Sequence, residues 1–254
     1  NHIESFSNLS LSGPLAPERY LVKIWLTTAG DSLNFNDTLY RECLVQAVTT
    51  VPYFNDFEAC NDQFHTNGDM LQWEKAIPPG GAYSGNEAYV TNADSTLITG
   101  SNPEILLAPF FTGLDTLSGA ELRFYHRYRF SGNINESYGT MQYLNNGNWQ
   151  PLATATNQGT GMSLSAQHGF VFSGSQPNWT MFSIGLDQAK QPGINAIRLI
   201  AGAEEDKTCY WEIDNLQLEA VTSTLLYHIQ HFKFSNKFKE KSKNDKFFSR
   251  FSHF

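Results

Sequence analysis

The run Tyr210-Trp211-Glu212-Ile213-Asp214-Asn215-Leu216-Gln217-Leu218-Glu219 carries two carboxylates, Glu212 and Asp214, inside a stretch that alternates like a β-strand. A period of two places Asp214 on the face of Leu216 and Leu218, which should turn towards a core. Glu58 stands in the same position in Tyr53-Phe54-Asn55-Asp56-Phe57-Glu58, on the face of Phe54. An inward carboxylate needs a counter-charge, a metal or a set of backbone N–H donors, because an unpaired buried charge is very costly. The first and last strands of an antiparallel jelly roll are often neighbours, so Glu58 and Asp214 are expected to converge on one hard cation. Calcium suits such a place, since it takes about six to eight oxygens and accepts carbonyls from Gly- and Asn-rich loops. The alternative is that each carboxylate caps backbone N–H groups or pairs with an arginine.

The elements that would carry these groups are strands. Almost nothing in residues 1–220 has a 3.6-residue period, whereas short alternating runs recur between Gly, Asn, Pro and Ser clusters. In 120–130, Leu122, Phe124, His126, Tyr128 and Phe130 alternate with Arg123, Tyr125, Arg127 and Arg129, one apolar face and one basic. Further strands are expected at Tyr20–Leu26, Thr38–Val48, Tyr53–Glu58, Ala82–Thr91, Thr140–Leu144, Trp179–Leu186, Ile194–Ala201 and Cys209–Leu218. With turn signals at Asn146-Gly147 and Pro192-Gly193, the pattern predicts an all-β, two-sheet antiparallel jelly-roll sandwich.

A chain of 254 residues with 41% hydrophobic and 14% aromatic residues can fill a sizeable core. No apolar run approaches the ~18 residues that would cross a bilayer, and the opening Asn1-His2-Ile3 reads as a piece of something longer. Residues 1–220 hold 10 Lys and Arg against 23 Asp and Glu, while 221–254 hold 7 against 2. So acidic a body makes nucleic acid an unsuitable partner. Composition shifts near Val51-Pro52, which places a domain boundary between residues 48 and 49. Residues 1–48 are too few to close a sheet of their own, so they read as the end of a preceding domain. Residues 221–254, with seven of the nineteen Phe and most of the Lys, read as a disordered tail.

Other clusters are less telling. Cys43, Cys60 and Cys209 have no zinc spacing, leaving room for one disulfide and one free thiol. His126 falls on the apolar face of its strand and reads as a buried core residue. Trp73, Tyr83, Tyr89, Trp149 and Trp179 offer either core filling or a platform on which sugar rings stack.

Glu212-Ile213-Asp214 resembles the opening of the Glu-x-Asp-x-x-Glu motif of laminarinase-like retaining glycoside hydrolases. Here Gln217 stands in the acid/base position, and an amide cannot shuttle the proton. A broader likeness runs in order along the chain: Phe54-Asn55-Asp56-Phe57-Glu58, Leu71-Gln72-Trp73-Glu74, Ala82-Tyr83-Ser84-Gly85-Asn86-Glu87, Ile105-Leu106-Leu107-Ala108-Pro109-Phe110-Phe111, Leu122-Arg123-Phe124, Asn146-Gly147-Asn148-Trp149, Ile197-Arg198-Leu199 and Trp211-Glu212-Ile213-Asp214-Asn215-Leu216. Over about residues 50–219 this resembles the MAM-like, choice-of-anchor jelly-roll modules of bacterial secreted and surface proteins. The resemblance implies a structural calcium held by Glu58 and Asp214. Cys60 and Cys209 lie near those two residues in sequence, so a Cys60–Cys209 disulfide is expected, with Cys43 free.

Pro14-Leu15-Ala16-Pro17-Glu18-Arg19-Tyr20, with Gly30-Asp31-Ser32 and Asn36-Asp37-Thr38-Leu39, is similar to the last strands of an immunoglobulin-like, CARDB-type domain. Together the likenesses imply a non-catalytic, extracellular adhesion or substrate-targeting module of a larger secreted or cell-surface protein. Its partners would be an extracellular glycan or protein and the other domains of the same polypeptide. A carbohydrate-binding module attached to a secreted hydrolase or peptidase is the alternative, and Trp73, Tyr83, Trp149 and Trp179 would be its ligand residues.

Overall fold

The computed structural model describes residues 16–25, 38–60, 63–67, 73–91, 103–204 and 206–221. The tail beyond Val221, residues 1–15 and residues 26–37 lie outside the described residues. The two-sheet antiparallel sandwich expected from alternation is what forms. One sheet has the order Ser175–Gly185, Ala120–Phe130, Cys209–Ala220, Ala88–Thr91, Trp73–Ala76, with Tyr53–Asn55 also paired to Cys209–Ala220. The other runs Asn148–Pro151, Ser137–Asn145, Ile197–Ala203, Glu104–Leu107, His65–Asn67. We refer to them as the six-stranded and five-stranded sheets.

The Ala120–Phe130 strand shows why the sheets stack. Its even-numbered residues from Leu122 to Phe130 are buried and its odd-numbered side chains lie on the outer face. Between the sheets lie Phe124, Phe172, Phe182, Trp211, Leu106, Met141 and Leu199, all essentially without exposed surface. Burial of each such side chain stabilises the fold by roughly 1.5–3 kcal/mol. The sheets press together at Gly139, where a Cβ would stand 2.8 Å from the Trp211 ring and 2.9 Å from Phe130. Only glycine lets the backbone sit there at native packing density.

His126 is a core residue, 3% exposed, boxed in by Phe124, Tyr128, Phe172, Phe182 and Trp211. The Trp211 indole N–H donates to its Nδ1 at 3.4 Å. Trp73 also belongs to this core, which corrects its reading as a ligand residue, and of the two roles open to Tyr89 it takes that of core filling. Trp73 is 2% exposed, packs against Trp211 with centroids 5.6 Å apart, and donates its indole N–H to the Glu104 carbonyl. Tyr89 packs on Phe57 and Phe64.

Two departures from simple alternation matter for function. Arg123 pairs with Gln217 but Tyr125 pairs with Asp214, so Asn215 and Leu216 together oppose one residue. This is a β-bulge, with Asn215 in the left-handed region at φ 51, a conformation Asn tolerates better than most. The extra residue reverses the facing of everything before it. Asp214 therefore shares the outer face with Tyr125 and Glu212, not the inner face of Leu216 and Leu218. A second irregularity lies across the same strand. His126 pairs with Thr180 and Tyr128 with Gln176, leaving Pro177, Asn178 and Trp179 opposite Arg127. Proline is tolerated there because this is an edge strand.

Glu18–Trp25 and Thr38–Val45 form a two-stranded antiparallel sheet. The chain then joins the sandwich at once: the Gln46 amide donates to the Ala108 carbonyl at 2.8 Å, and Phe110 N–H to the Ala47 carbonyl at 2.8 Å. Val48–Thr50 continues in parallel pairing with Phe110–Thr112.

Candidate functional site

The expected strand over Ala82–Thr91 begins only at Ala88, and residues 77–87 instead form a loop laid across the outer face of the six-stranded sheet. Five side chains strap it down. Arg127 donates to the carbonyls of Pro79 at 2.6 Å and Gly81 at 3.1 Å, and the Trp179 indole N–H donates to Gly81 at 3.2 Å. Tyr83 stacks flat on Tyr125, centroids 3.4 Å apart. The other two straps are the carboxylates singled out in the sequence. Asp214 accepts the Ser84 N–H at 2.9 Å, and Glu58 accepts the N–H groups of Asn86 and Glu87, each at 2.8 Å.

Glu58 reaches the loop because its strand stops early. The Asn55 side chain accepts the Phe57 N–H and the Asp56 side chain accepts the Glu58 N–H, turning the backbone through Phe57 at φ 61. Gly85, at φ +60, is where the loop passes Glu58; a Cβ there would lie 2.4 Å from the Glu58 carboxyl carbon. Burial pushes the Asp214 carboxyl above the usual carboxylate range, and the charge of Glu58 adds to the rise. Donation from Ser84, Asn215 and Tyr83 N–H groups opposes it. Glu58 is held below its ordinary value by the N–H groups of Glu87 and Asn86, with Lys75 assisting.

The corner thus holds two carboxylates, the Asn215 amide oxygen with the Ser84 hydroxyl donating to it at 2.8 Å, and the side chains of Asn55 and Asp56 nearby. Asp214 is fully buried and has no ion pair among the described residues. The donors are all oxygens, the kind a hard cation takes, and among the described residues no group of three or more His, Cys, Asp or Glu is placed to hold a metal ion.

Beside the strap the outer face opens into a cleft of about 510 Å³ lined by Pro79, Arg127, Arg129, Gln176, Thr208, Tyr210 and Glu212, among others. That is the size range of small-ligand sites. Glu212, with no exposed surface, is ion-paired to Arg127 and accepts the Tyr210 hydroxyl. Arg127 also stacks on Trp179, 4.8 Å from the ring.

No protein-family model matches the chain, and no curated protein matches it. Among solved structures it is similar to the CBM22-1 xylan-binding domain of Paenibacillus barcinonensis Xyn10C, at 12% identity and a TM-score of 0.39, covering 67% of this chain and 94% of that one. It is also similar to the K1 cleaved adhesin domain of Lys-gingipain from Porphyromonas gingivalis W83, at 16% identity and a TM-score of 0.41, covering 68% and 99%. The K2 domain of Lys-gingipain gives 12% identity and a TM-score of 0.41, covering 66% and 97%. Values of this size carry over no ligand and no residue role, so the site rests on its own geometry.

Of the aromatic residues offered by the sequence, Tyr83 and Trp179 meet on this face, with centroids 6.4 Å apart. Trp149 lies on the five-stranded sheet under Arg198, 4.2 Å from the ring, and lines a separate cavity of about 290 Å³ with Cys43, His65 and others. The expected Cys60–Cys209 bridge is absent. Both are free thiols, Cys60 exposed and Cys209 buried with its Sγ directed to the Tyr138 carbonyl of the opposite sheet. Reasoning from sequence missed Arg129, Tyr125 and Tyr210; their outward alternation was visible, but the loop and the edge-strand bulge that shape a cleft around them were not.

Proposed function

We propose that this chain is a non-catalytic binding module of a secreted or cell-surface protein, that its ligand is a glycan, and that the ligand lies on the outer face of the six-stranded sheet. The observation that carries this is the open cleft lined by Arg127, Arg129, Ser175, Gln176, Thr208 and Tyr210, a row of polar groups beside the apolar edge of Pro79 and Pro177. Gln176, Thr208 and Tyr210 offer partners for sugar hydroxyls, and the Tyr210 ring and the two prolines offer apolar surface beside them. Adhesion and substrate targeting both follow from such a grip. The non-catalytic part is supported by Glu212, whose charge is taken up by Arg127, and by the amide at Gln217.

The MAM-like reading of residues 50–219 is supported by the placement of residues 105–107, 122–124, 148–149, 197–199 and 211–216 on strands of the sandwich. The CARDB-type reading of 1–48 is supported by the separate hairpin at 18–45. A calcium ion at Glu58 and Asp214 belongs to this proposal as a structural element: it would neutralise two like charges and tie the 77–87 loop to the sheet.

The test is titration of the full chain with soluble neutral and acidic oligosaccharides, followed by indole fluorescence and calorimetry. Tyr210→Ala should weaken binding by about tenfold or more, as expected for an aromatic contact lining the cleft. Trp149→Ala, on the other sheet, should leave it unchanged. Loss of binding in Trp149→Ala alone, or no binding by the wild type, would overturn the proposal.

A further inference from the structure

Three charged residues line the cleft, Arg127, Glu212 and Arg129, in a pattern of spent and unspent charge. Arg127 is fully committed: its guanidinium meets Glu212, the carbonyls of Pro79 and Gly81, and the face of Trp179. Glu212 is likewise committed to Arg127 and the Tyr210 hydroxyl. Arg129, two residues along the same face, is exposed and has no ion pair or hydrogen bond among the described residues. In register it lies between Ser175 and Tyr210, on the floor of the cleft. The cleft therefore carries one surplus positive charge whose planar fork of N–H donors is free.

We infer that the cleft binds an acidic sugar, with Arg129 receiving its single carboxylate in a two-pronged hydrogen-bonded ion pair. This inference rests on the glycan-binding reading above and names the class of glycan. A guanidinium matches a carboxylate in plane and spacing, and such charge-assisted pairs are among the stronger hydrogen bonds. Sugar hydroxyls then fall towards Gln176, Thr208 and Tyr210. The rest of the molecule decides against a dense polyanion. Residues 1–220 hold 10 basic side chains against 23 acidic ones, so a heparin-like chain reaching beyond the cleft meets net repulsion. One carboxylate seated on Arg129 is shielded from most of that field, because screening at physiological salt acts over about 8 Å.

The decisive comparison uses an oligosaccharide carrying one glucuronic acid and the same oligosaccharide after carboxyl reduction, each titrated against the full chain. The expected result is that the acid binds about tenfold or more tighter than its reduced counterpart. Arg129→Gln should abolish that preference with an unchanged melting temperature, and Arg129→Lys should keep part of it. Equal affinity for acid and reduced sugar overturns the inference while leaving the glycan reading in place. Preference for heparin, rising with its charge, overturns it in favour of a general anion surface. Binding only to a short peptide through its terminal carboxylate overturns it in favour of a protein partner. Binding to none of these overturns both readings at once.

Discussion

His126 shows how far one buried side chain can set the response of a molecule to acid. Its imidazole is enclosed by five aromatic rings, and burial lowers its pKa to about 3 from 6.5. Between those values the unfolded chain holds a proton that the folded chain cannot, so acidification favours unfolding. The contribution is complete above pH 6.5 and shrinks as pH falls. From pH 8 to pH 5 the loss from this residue should be about 2 kcal/mol. Urea titrations across that range should show the decline, and His126→Phe, which fits an aromatic box, should flatten it. A slope that survives the substitution would mean that other groups carry it. The core placement of His126 was legible from its position on an apolar face. The placement of Trp73 was not, because a tryptophan beside Glu74 and Lys75 reads equally well as inward or outward until its neighbours are known.

At the scale of elements, the outer-face site is made by two interruptions and a loop. Alternation along 120–130 and 209–220 located the strands to within a few residues, yet it assigned Asp214 to the wrong face. One left-handed Asn reverses a whole strand's facing, and Asn215 in sequence looks no different from any other Asn. In sequence, residues 82–87 of the 77–87 loop read as the start of a strand over Ala82–Thr91; they lie off the sheet, with the N–H groups of Ser84, Asn86 and Glu87 taken by Asp214 and Glu58. Two glycines in this loop separate backbone strain from crowding. Gly81 has φ +87 with open space around it, while Gly85 has φ +60 and Glu58 in the way of any Cβ. Gly81→Ala should cost only the left-handed penalty of about 1–2 kcal/mol. Gly85→Ala should cost at least about 1 kcal/mol more in chemical denaturation, because Glu58 must also move. Equal costs would show that the loop is not pressed onto Glu58.

For the whole molecule, the corner of Glu58 and Asp214 predicts that calcium and stability are linked. Any ligand that binds only the folded state raises the melting temperature, by about 2.7 kcal/mol of added stability at one hundred times its dissociation constant. Excess calcium should therefore raise the melting temperature of the full chain above that in EDTA, and the difference should vanish in both Glu58→Gln and Asp214→Asn. Identical melting curves with and without calcium would leave the two carboxylates as caps of the loop and nothing more.

Cys209–Ala220 is the last strand of the sandwich, and it lies in the middle of its sheet, between Ala120–Phe130 on one side and Ala88–Thr91 and Tyr53–Asn55 on the other. During synthesis the earlier strands of that sheet must wait, with their apolar faces exposed, until more than one hundred and fifty residues beyond Tyr53 have left the ribosome. Pairings so remote in sequence close slowly and leave edges open to neighbours. The sandwich thus closes only once Cys209–Ala220 has emerged, and its vulnerable interval ends when Trp211 and Leu218 drop into place.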